Sequence, residues 1–301
     1  MYERFELGHN NIIVNSFKDI LNDEIQNKLL QENSILIPHG TLVGTLTSDE
    51  IINELKIPVF GNKKVLLLEK EAELHKRWLD ESGVRTPMVF NNIDDVDRLV
   101  MVKFTGAKGG QGYFASNSSK EIKEKVKQMG PEAEKNLWIQ EFIRGVPMYF
   151  HFFKHLDGKN KLTGIDIRYE SDANAFGRIP AIIQYPLKLR PGFTVVGNIP
   201  VVVRESLLQK IFRIADNIVE ASKKLAPPGL IGPYCVETII TPNLEIVVIE
   251  ISARIVAGTT AWIPTSPYAE FSYGKSVAVG ELIAEEILNA YKNDSLEKIV
   301  S

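Results

Sequence analysis

The stretch that most constrains this chain is Cys235 to Arg254, CVETIITPNLEIVVIEISAR, because two carboxylates stand inside otherwise apolar strand sequence. Val, Ile and Thr dominate both halves and Pro242-Asn243 supplies turn residues between them, so the stretch reads as a β-hairpin. With those two residues as the whole loop, Thr241 faces Leu244, Glu237 faces Val248, and Glu250 lies on the face of Glu237 one diagonal step away. Ser252 and Arg254 share that face by the same period of two. Diagonal cross-strand neighbours are roughly 7–8 Å apart at Cα, so both carboxylates can reach one cation or two adjacent ones. Glu250 also interrupts IVVIEI, where an unpaired buried charge costs several kcal/mol. A hard divalent cation removes that cost, and Mg²⁺ typically completes its shell with water and substrate phosphates. The competing reading is a solvated sheet face that carries two glutamates, and the rest of the chain weighs between the two.

At 301 residues the chain exceeds the size at which single cores usually stop growing, so two or three lobes are expected. Its 35 basic and 38 acidic residues leave a net charge of −3, which suggests neither a nucleic-acid site nor an anionic membrane surface. Cys235 is the single cysteine, which excludes an internal disulfide and fits a reducing, cytoplasmic setting. MYERFELGHN has no basic segment followed by an apolar run, and no stretch approaches the length of a membrane span.

Residues 1–62 alternate short strand and helix patterns: NNIIVNSF, DILNDEIQNKLLQEN, SILIPHG, LTSDEIINELK, IPVFG. This is the grammar of a parallel α/β sheet, in which ligands bind beyond the carboxyl ends of strands, near His39-Gly40-Thr41. KKVLLLEKEAELHKRWLDESG then reads as one amphipathic helix stopped by Gly83. LVMVKFTGAKGGQGYFASN sets a glycine-rich loop between two strands, whereas a Walker loop or a dinucleotide fingerprint would open a helix. Such a hairpin tip, with Lys103 on the strand leading in and Lys108 beside Gly109 and Gly110, can lay N–H groups and an ammonium over a triphosphate; a plain mobile connector has the same composition. SSKEIKEKVKQMG is a capped, solvated helix, and NLWIQEFIRGVPMYFHFFKH is two strands with a lobe boundary at Arg144-Gly145-Val146-Pro147. KLTGIDIRYES carries Arg168 and Glu170 toward a polar loop, and Asn198 reads as part of a Gly-Asn turn. A long helix over RESLLQKIFRIADNIVEASKKL precedes the hairpin, and GKSVAVGELIAEEILNAYK closes the chain as a helix.

Taken together, the two-lysine flap, the strand-linker-strand at IQEFIRG and the paired glutamates ending in EISAR resemble the ATP-grasp superfamily. Within it, IPHGT, VKFTGAKGGQGYF, GVPMYFHFF, GIDIRYES, VVGNIPVVVRESLL, PPGLIGPYCVET and EISARIVAGT resemble the archaeal formate-dependent FAICAR synthetases, from about residue 2 to residue 290. The resemblance implies an ATP-grasp fold over 63–301, with a small lobe over about 63–143 and a large lobe over about 144–301, preceded by an incomplete parallel α/β domain over 1–62. It implies ATP-dependent ligation of formate to the 5-amino group of AICAR (5-aminoimidazole-4-carboxamide ribonucleotide), through formyl phosphate, with Mg²⁺ or Mn²⁺ and in a trimeric or hexameric assembly. Carried over by position, Lys103, Lys108, Gly109 and Gly110 would hold ATP phosphates, Gln140 and Glu141 the adenine, and Glu170 a further part of ATP. Glu237 and Glu250 would bind the metal, Thr41 and Asn198 would contact AICAR, and Arg254 would steady the developing acyl-phosphate charge.

The chain departs from the family pattern at Thr41, Ile167 and Thr260, where the family has Ser, Arg and Asn. The family's opening strand, with a Gly-Ser-His-Ser loop, also has no counterpart before Met1. An enzyme of this activity is therefore expected alongside two alternatives: a nucleotide-binding relative without turnover, and a ligase for another acid or amine.

Overall fold

The computed structural model describes residues 12–108, 111–129, 137–171, 176–184, 194–256, 261–264 and 266–301. Among the described residues, nine strands make two antiparallel sheets. The smaller contains β1 (Val89–Phe90), β2 (Val100–Lys108), β3 (Gln111–Ser116) and β4 (Leu137–Glu141) in the order β1-β4-β2-β3. The larger contains β5 (Val146–Lys154), β6 (Asn160–Glu170), β7 (Val195–Pro200), β8 (Gly232–Ile240) and β9 (Ile246–Ser252) in the order β7-β6-β5-β8-β9.

The described N-terminal residues differ from the strand-rich expectation. Residues 12–17 form no strand, because Ser16 and Asp19 make a capping box that starts a helical turn, Phe17–Leu21, ahead of α1 (Asp23–Gln31). Among the described residues, parallel pairing is confined to isolated bridges, Leu36 with Val59 and His39 with Ile255. After α2 (Gly40–Thr45), Thr47 and Glu50 cap one another at the turn Glu50–Glu54. The single helix expected over 63–83 is two, α3 (Lys63–Lys70) and α4 (Ala72–Glu81), because Glu71 is extended between them and accepts a hydrogen bond from Ser48. Gly83, at φ +60°, stops α4 as its composition predicts.

In the larger sheet the period of two separates an apolar face from a polar one. Phe150, Phe152, Ile165, Val236 and Ile251 face α7 (Glu205–Leu225) in one continuous core; the intervening helices are α5 (Ser119–Met129) and α6 (Ala181–Gln184). α7 presents Leu207, Ile211, Ala215, Ile218 and Ser222 at helical spacing, and each fully buried Leu or Ile there contributes about 1.5–3 kcal/mol. The Trp78 indole N–H donates to Ile218 O at 3.0 Å, which ties α4 to α7 inside that core. The small sheet has a separate core of Phe90, Val96, Val100, Val102, Ile122, Val126 and Ile139. A third cluster, around Phe60, Phe153, Leu282 and Ile283, seats the last helices α8 (Tyr268–Tyr273) and α9 (Val279–Lys292).

Candidate functional site: a carboxylate pair on the polar sheet face

The hairpin forms, with a register different from the simple two-residue turn. Ile240 pairs with Ile246 and Thr238 with Val248, so the loop runs over 241–245, with Leu244 at φ +59°. A second shift falls between Thr238 and Glu237, where β9 carries one extra residue, Ile249. Each one-residue shift alone would turn Glu250 to the other face, and the two together restore it. Glu250 therefore stands directly opposite Glu237, closer than the diagonal placement expected from sequence. The burial argument changes owner as well: Glu250 is exposed, and Glu237, with its side chain 12 % exposed, carries the desolvation. Burial pushes the Glu237 carboxyl above the usual range, while Arg168 at 2.8 Å pulls it back.

Arg168 is itself fixed by Tyr149, whose ring lies 4.0 Å beneath the guanidinium carbon. Tyr149 on β5 pairs with Asp166 on one side and Glu237 on the other, so one polar row runs across three strands and on to Glu250. One step along β5, His151 pairs with Cys235 and bonds Asp166 through Nε2 at 2.9 Å. Burial opposes a charge on this imidazole, but Cys235 and Asp166 outweigh it and hold its pKa well above the ordinary value. The second Asp166 oxygen, Oδ1, is buried without a hydrogen-bond partner among the described residues.

Several elements converge on Glu250. Lys103, on β2 opposite Trp138, has its pKa pushed down by burial and drawn back up by the Glu250 charge. His75 of α4 feels the same carboxylate and accepts the Ile251 N–H at 3.1 Å. Among the described residues the Glu250 carboxylate itself makes no ion pair or hydrogen bond. Two oxygen-donor side chains on adjacent strands, one of them largely buried and ion-paired to an arginine, are a donor set that fits a hard divalent cation. Beside them lies a cavity of about 460 Å³ lined by His75, Leu79, Met88, Trp138, Gln140 and Ile249.

The other expected site residues divide. Gln140 reaches this cavity, held by the Trp138 indole N–H at 3.0 Å, whereas the Glu141 carboxylate points away and is engaged by Arg85 at 2.6 Å and the Met88 N–H at 3.1 Å. Lys108 ends β2 opposite Gln111, in the strand-loop-strand arrangement expected, and Gly109 and Gly110 lie outside the described residues. Glu170 ends β6 opposite Val195. Asn198 is not in a turn: it sits within β7 opposite Arg168, because the Val-rich sequence around it extends the sheet by one strand. Thr41 is exposed in the first turn of α2, where its N–H is capped by His39 Nδ1 at 3.3 Å. A second cavity, of about 730 Å³, opens beside that loop between His39, Ile255, Trp262 and the start of α9.

Arg254 lies where the two regions meet. Its Nε and Nη2 donate to Glu69 Oε1 at 3.0 and 2.9 Å, and Glu69 Oε2 accepts the Ala253 N–H at 2.7 Å. Sequence reasoning missed Glu69, His75 and the Arg168–Glu237 pair. A signal for Glu69 was present, since it falls four residues after Val65 and three after Leu66, on the buried stripe of α3.

Residues 1–90 match a protein of unknown function, DUF1246, and residues 114–301 a domain of unknown function, DUF1297. The chain is 41% identical, over 307 aligned residues covering 100% of it and 85% of the relative, to the 5-formaminoimidazole-4-carboxamide-1-(beta)-D-ribofuranosyl 5'-monophosphate synthetase of Methanobrevibacter smithii. Among solved structures, the IMP biosynthesis protein PurP from Thermococcus kodakaraensis superposes with a TM-score of 0.73 at 25% identity, covering 100% of this chain and 88% of that one. The β,γ-ATP complex of biotin carboxylase from Campylobacter jejuni, at 14% identity, shares the fold with a TM-score of 0.59 over 91% of this chain and 59% of its own. With relatives this similar over its whole length, the chain belongs to the 5-formaminoimidazole-4-carboxamide ribonucleotide synthetase family and has the ATP-grasp fold.

Proposed function

We propose that this protein is an ATP-dependent carbon–nitrogen ligase that joins formate to the 5-amino group of AICAR, giving FAICAR in purine nucleotide synthesis. The observation that carries the reading is the Glu237–Glu250 pair directly opposed across two strands, in a chain 41% identical over its whole length to a synthetase of that name. Formate oxygen attacks the γ-phosphorus, the bond to the ADP oxygen breaks, and formyl phosphate results. The AICAR amine then attacks the formyl carbon, phosphate leaves with the carbon–oxygen electron pair, and the amine gives up one proton.

The residues divide that work. Lys103 and Lys108 balance triphosphate charge, and Gln140 with the backbone at Glu141 borders the adenine at the 460 Å³ cavity. Glu237 and Glu250 would hold Mg²⁺ or Mn²⁺, which supplies charge neutralisation at the phosphates when bound. Arg254 offers guanidinium N–H groups to the phosphate charge that grows during acyl transfer. Thr41 and Asn198 contact AICAR, with the cavity at His39 and Trp262 roomy enough for a nucleoside monophosphate. Glu170 is a further ATP contact. Formate, AICAR and ATP are the partners, and a cytoplasmic setting and a trimeric or hexameric assembly belong to the same reading. No helix among the described residues is long and apolar enough to cross a membrane.

The test is incubation with ATP, formate and AICAR, following ADP and FAICAR together. Equal accumulation of both is expected. ADP release that needs formate but yields no FAICAR would instead indicate a different amine acceptor.

A further inference from the structure

Along and just past the outer edge of β9, three backbone N–H groups find acceptors from residues 69–85: Val248 on Arg85 O at 2.8 Å, Ile251 on His75 Nε2 at 3.1 Å, and Ala253, the residue after the strand, on Glu69 Oε2 at 2.7 Å. Two of these acceptors are ordinary ties of an edge strand. Glu69 does more, because its other oxygen takes both Nε and Nη2 of Arg254. This side-on grip uses one edge of the guanidinium and fixes the rotation of its plane. The pair is well sheltered, with side chains 5 % exposed for Glu69 and 14 % for Arg254.

Gly40 borders the guanidinium: a Cβ built there would lie 3.6, 3.7 and 3.8 Å from Cζ, Nη1 and Nε, an ordinary contact distance. The Nη1 group reaches Ile255 O at 3.4 Å. Glu69 and the Ile255 carbonyl thus hold three of the five N–H groups, and two remain for a ligand.

Arg254 comes two residues after Ser252, whose hydroxyl donates to Glu237 Oε1 at 3.5 Å, and Glu250 stands directly opposite Glu237. An arginine released from Glu69 has two carboxylates within its neighbourhood, the same two that are the donor set for a divalent cation. Resting on the ligase reading above, we infer that Glu69 is a positioning residue: it holds Arg254 off the Glu237–Glu250 pair, which keeps those carboxylates open to the metal and aims the remaining guanidinium N–H groups at the anion.

The test is Glu69→Gln, whose amide oxygen still accepts the Ala253 N–H but whose NH₂ group cannot replace the grip on Arg254. Mn²⁺ in the presence of ADP is titrated by the electron paramagnetic resonance signal of the free ion, beside kcat and KM for ATP. Glu69→Gln is expected to weaken Mn²⁺ binding on the order of 10–100-fold, the usual effect of losing a partner that orients a metal-site group, and to lower kcat. In the Glu69→Gln/Arg254→Gln double variant, Mn²⁺ binding is expected to return to the wild-type value while kcat stays low, because the competing cation is gone. Glu69→Asp keeps the charge but withdraws it by one methylene, and carries the same test at intermediate size if the glutamine variant folds poorly. Unchanged Mn²⁺ binding in both single variants, or weakened binding that the second substitution does not restore, would overturn the inference. A wild-type protein that binds Mn²⁺ with ADP yet forms no FAICAR would count against the ligase reading alone.

Discussion

Glutamates 237 and 250, proposed as a pair toward one metal, are unequal toward the fold, and that difference can be measured. Glu237→Gln removes the carboxylate from a 2.8 Å ion pair whose side chains are 12 % and 26 % exposed. Exposed pairs contribute about 0–1 kcal/mol, and stripping one partner from a fully buried pair costs about 3–5 kcal/mol. This pair lies between those limits, and Arg168 keeps its contact with the Tyr149 ring, so about 2 kcal/mol is expected. That corresponds to a fall in Tm of about 4–8 °C at the scaling for domains of 150–250 residues, and less if more of the chain unfolds as one unit. Glu250→Gln changes an exposed residue with no ion pair among the described residues, so its effect on the metal-free protein should stay within about 0.5 kcal/mol. Thermal unfolding in EDTA separates the two variants, and repeating it with Mn²⁺ and ADP should show both losing most of the stabilisation that the wild type gains. A Glu250→Gln protein destabilised in EDTA as much as Glu237→Gln would refute the assignment of the desolvation to Glu237.

Three further outcomes are expected. His151 has its pKa raised well above the ordinary value, so the stability it contributes is fully present below the unfolded value of about 6.5 and is lost as pH rises through the higher folded value; His151→Gln should flatten that part of a stability-against-pH curve. Gly232 has φ +88°, and an added Cβ would sit 2.5 Å from Phe60 Cε1, so Gly232→Ala should destabilise by on the order of 3 kcal/mol in denaturant titration, combining backbone strain with overpacking. Lys108 should be protected from amine-modifying reagents by Mg·ATP; reactivity indifferent to nucleotide would mean that the hairpin tip does not close over the phosphates.

The elements rich in β-branched and aromatic residues, or carrying a long helical stripe, were readable from sequence. β5, β6, β8, β9 and α7 form where those patterns stand, the strands central to the sheet being buried over long runs. Interactions that depend on single side chains were not readable. The break at Glu71, the turn at Ser16–Asp19 and the bulge at Ile249 are local choices that periodicity does not encode. The site shows the same division. Glu237, Glu250 and Lys103 could be anticipated because charge inside strand sequence demands a reason. Glu69 and His75 looked like ordinary polar residues of an amphipathic helix until tertiary contacts set them against β9.

The two margins of the larger sheet are dressed very differently. The N–H groups of Val248 and Ile251 on β9, and of Ala253 just after it, are already occupied by acceptors from residues 69–85, so much of that margin is closed to a passing strand. The opposite margin, β7, keeps Val195, Val196 and Ile199 exposed along a sequence of high β-propensity. Unwanted strand addition during concentration or storage should therefore begin at β7, where a lysine in place of Val196 is the natural gatekeeper, and β9 needs none.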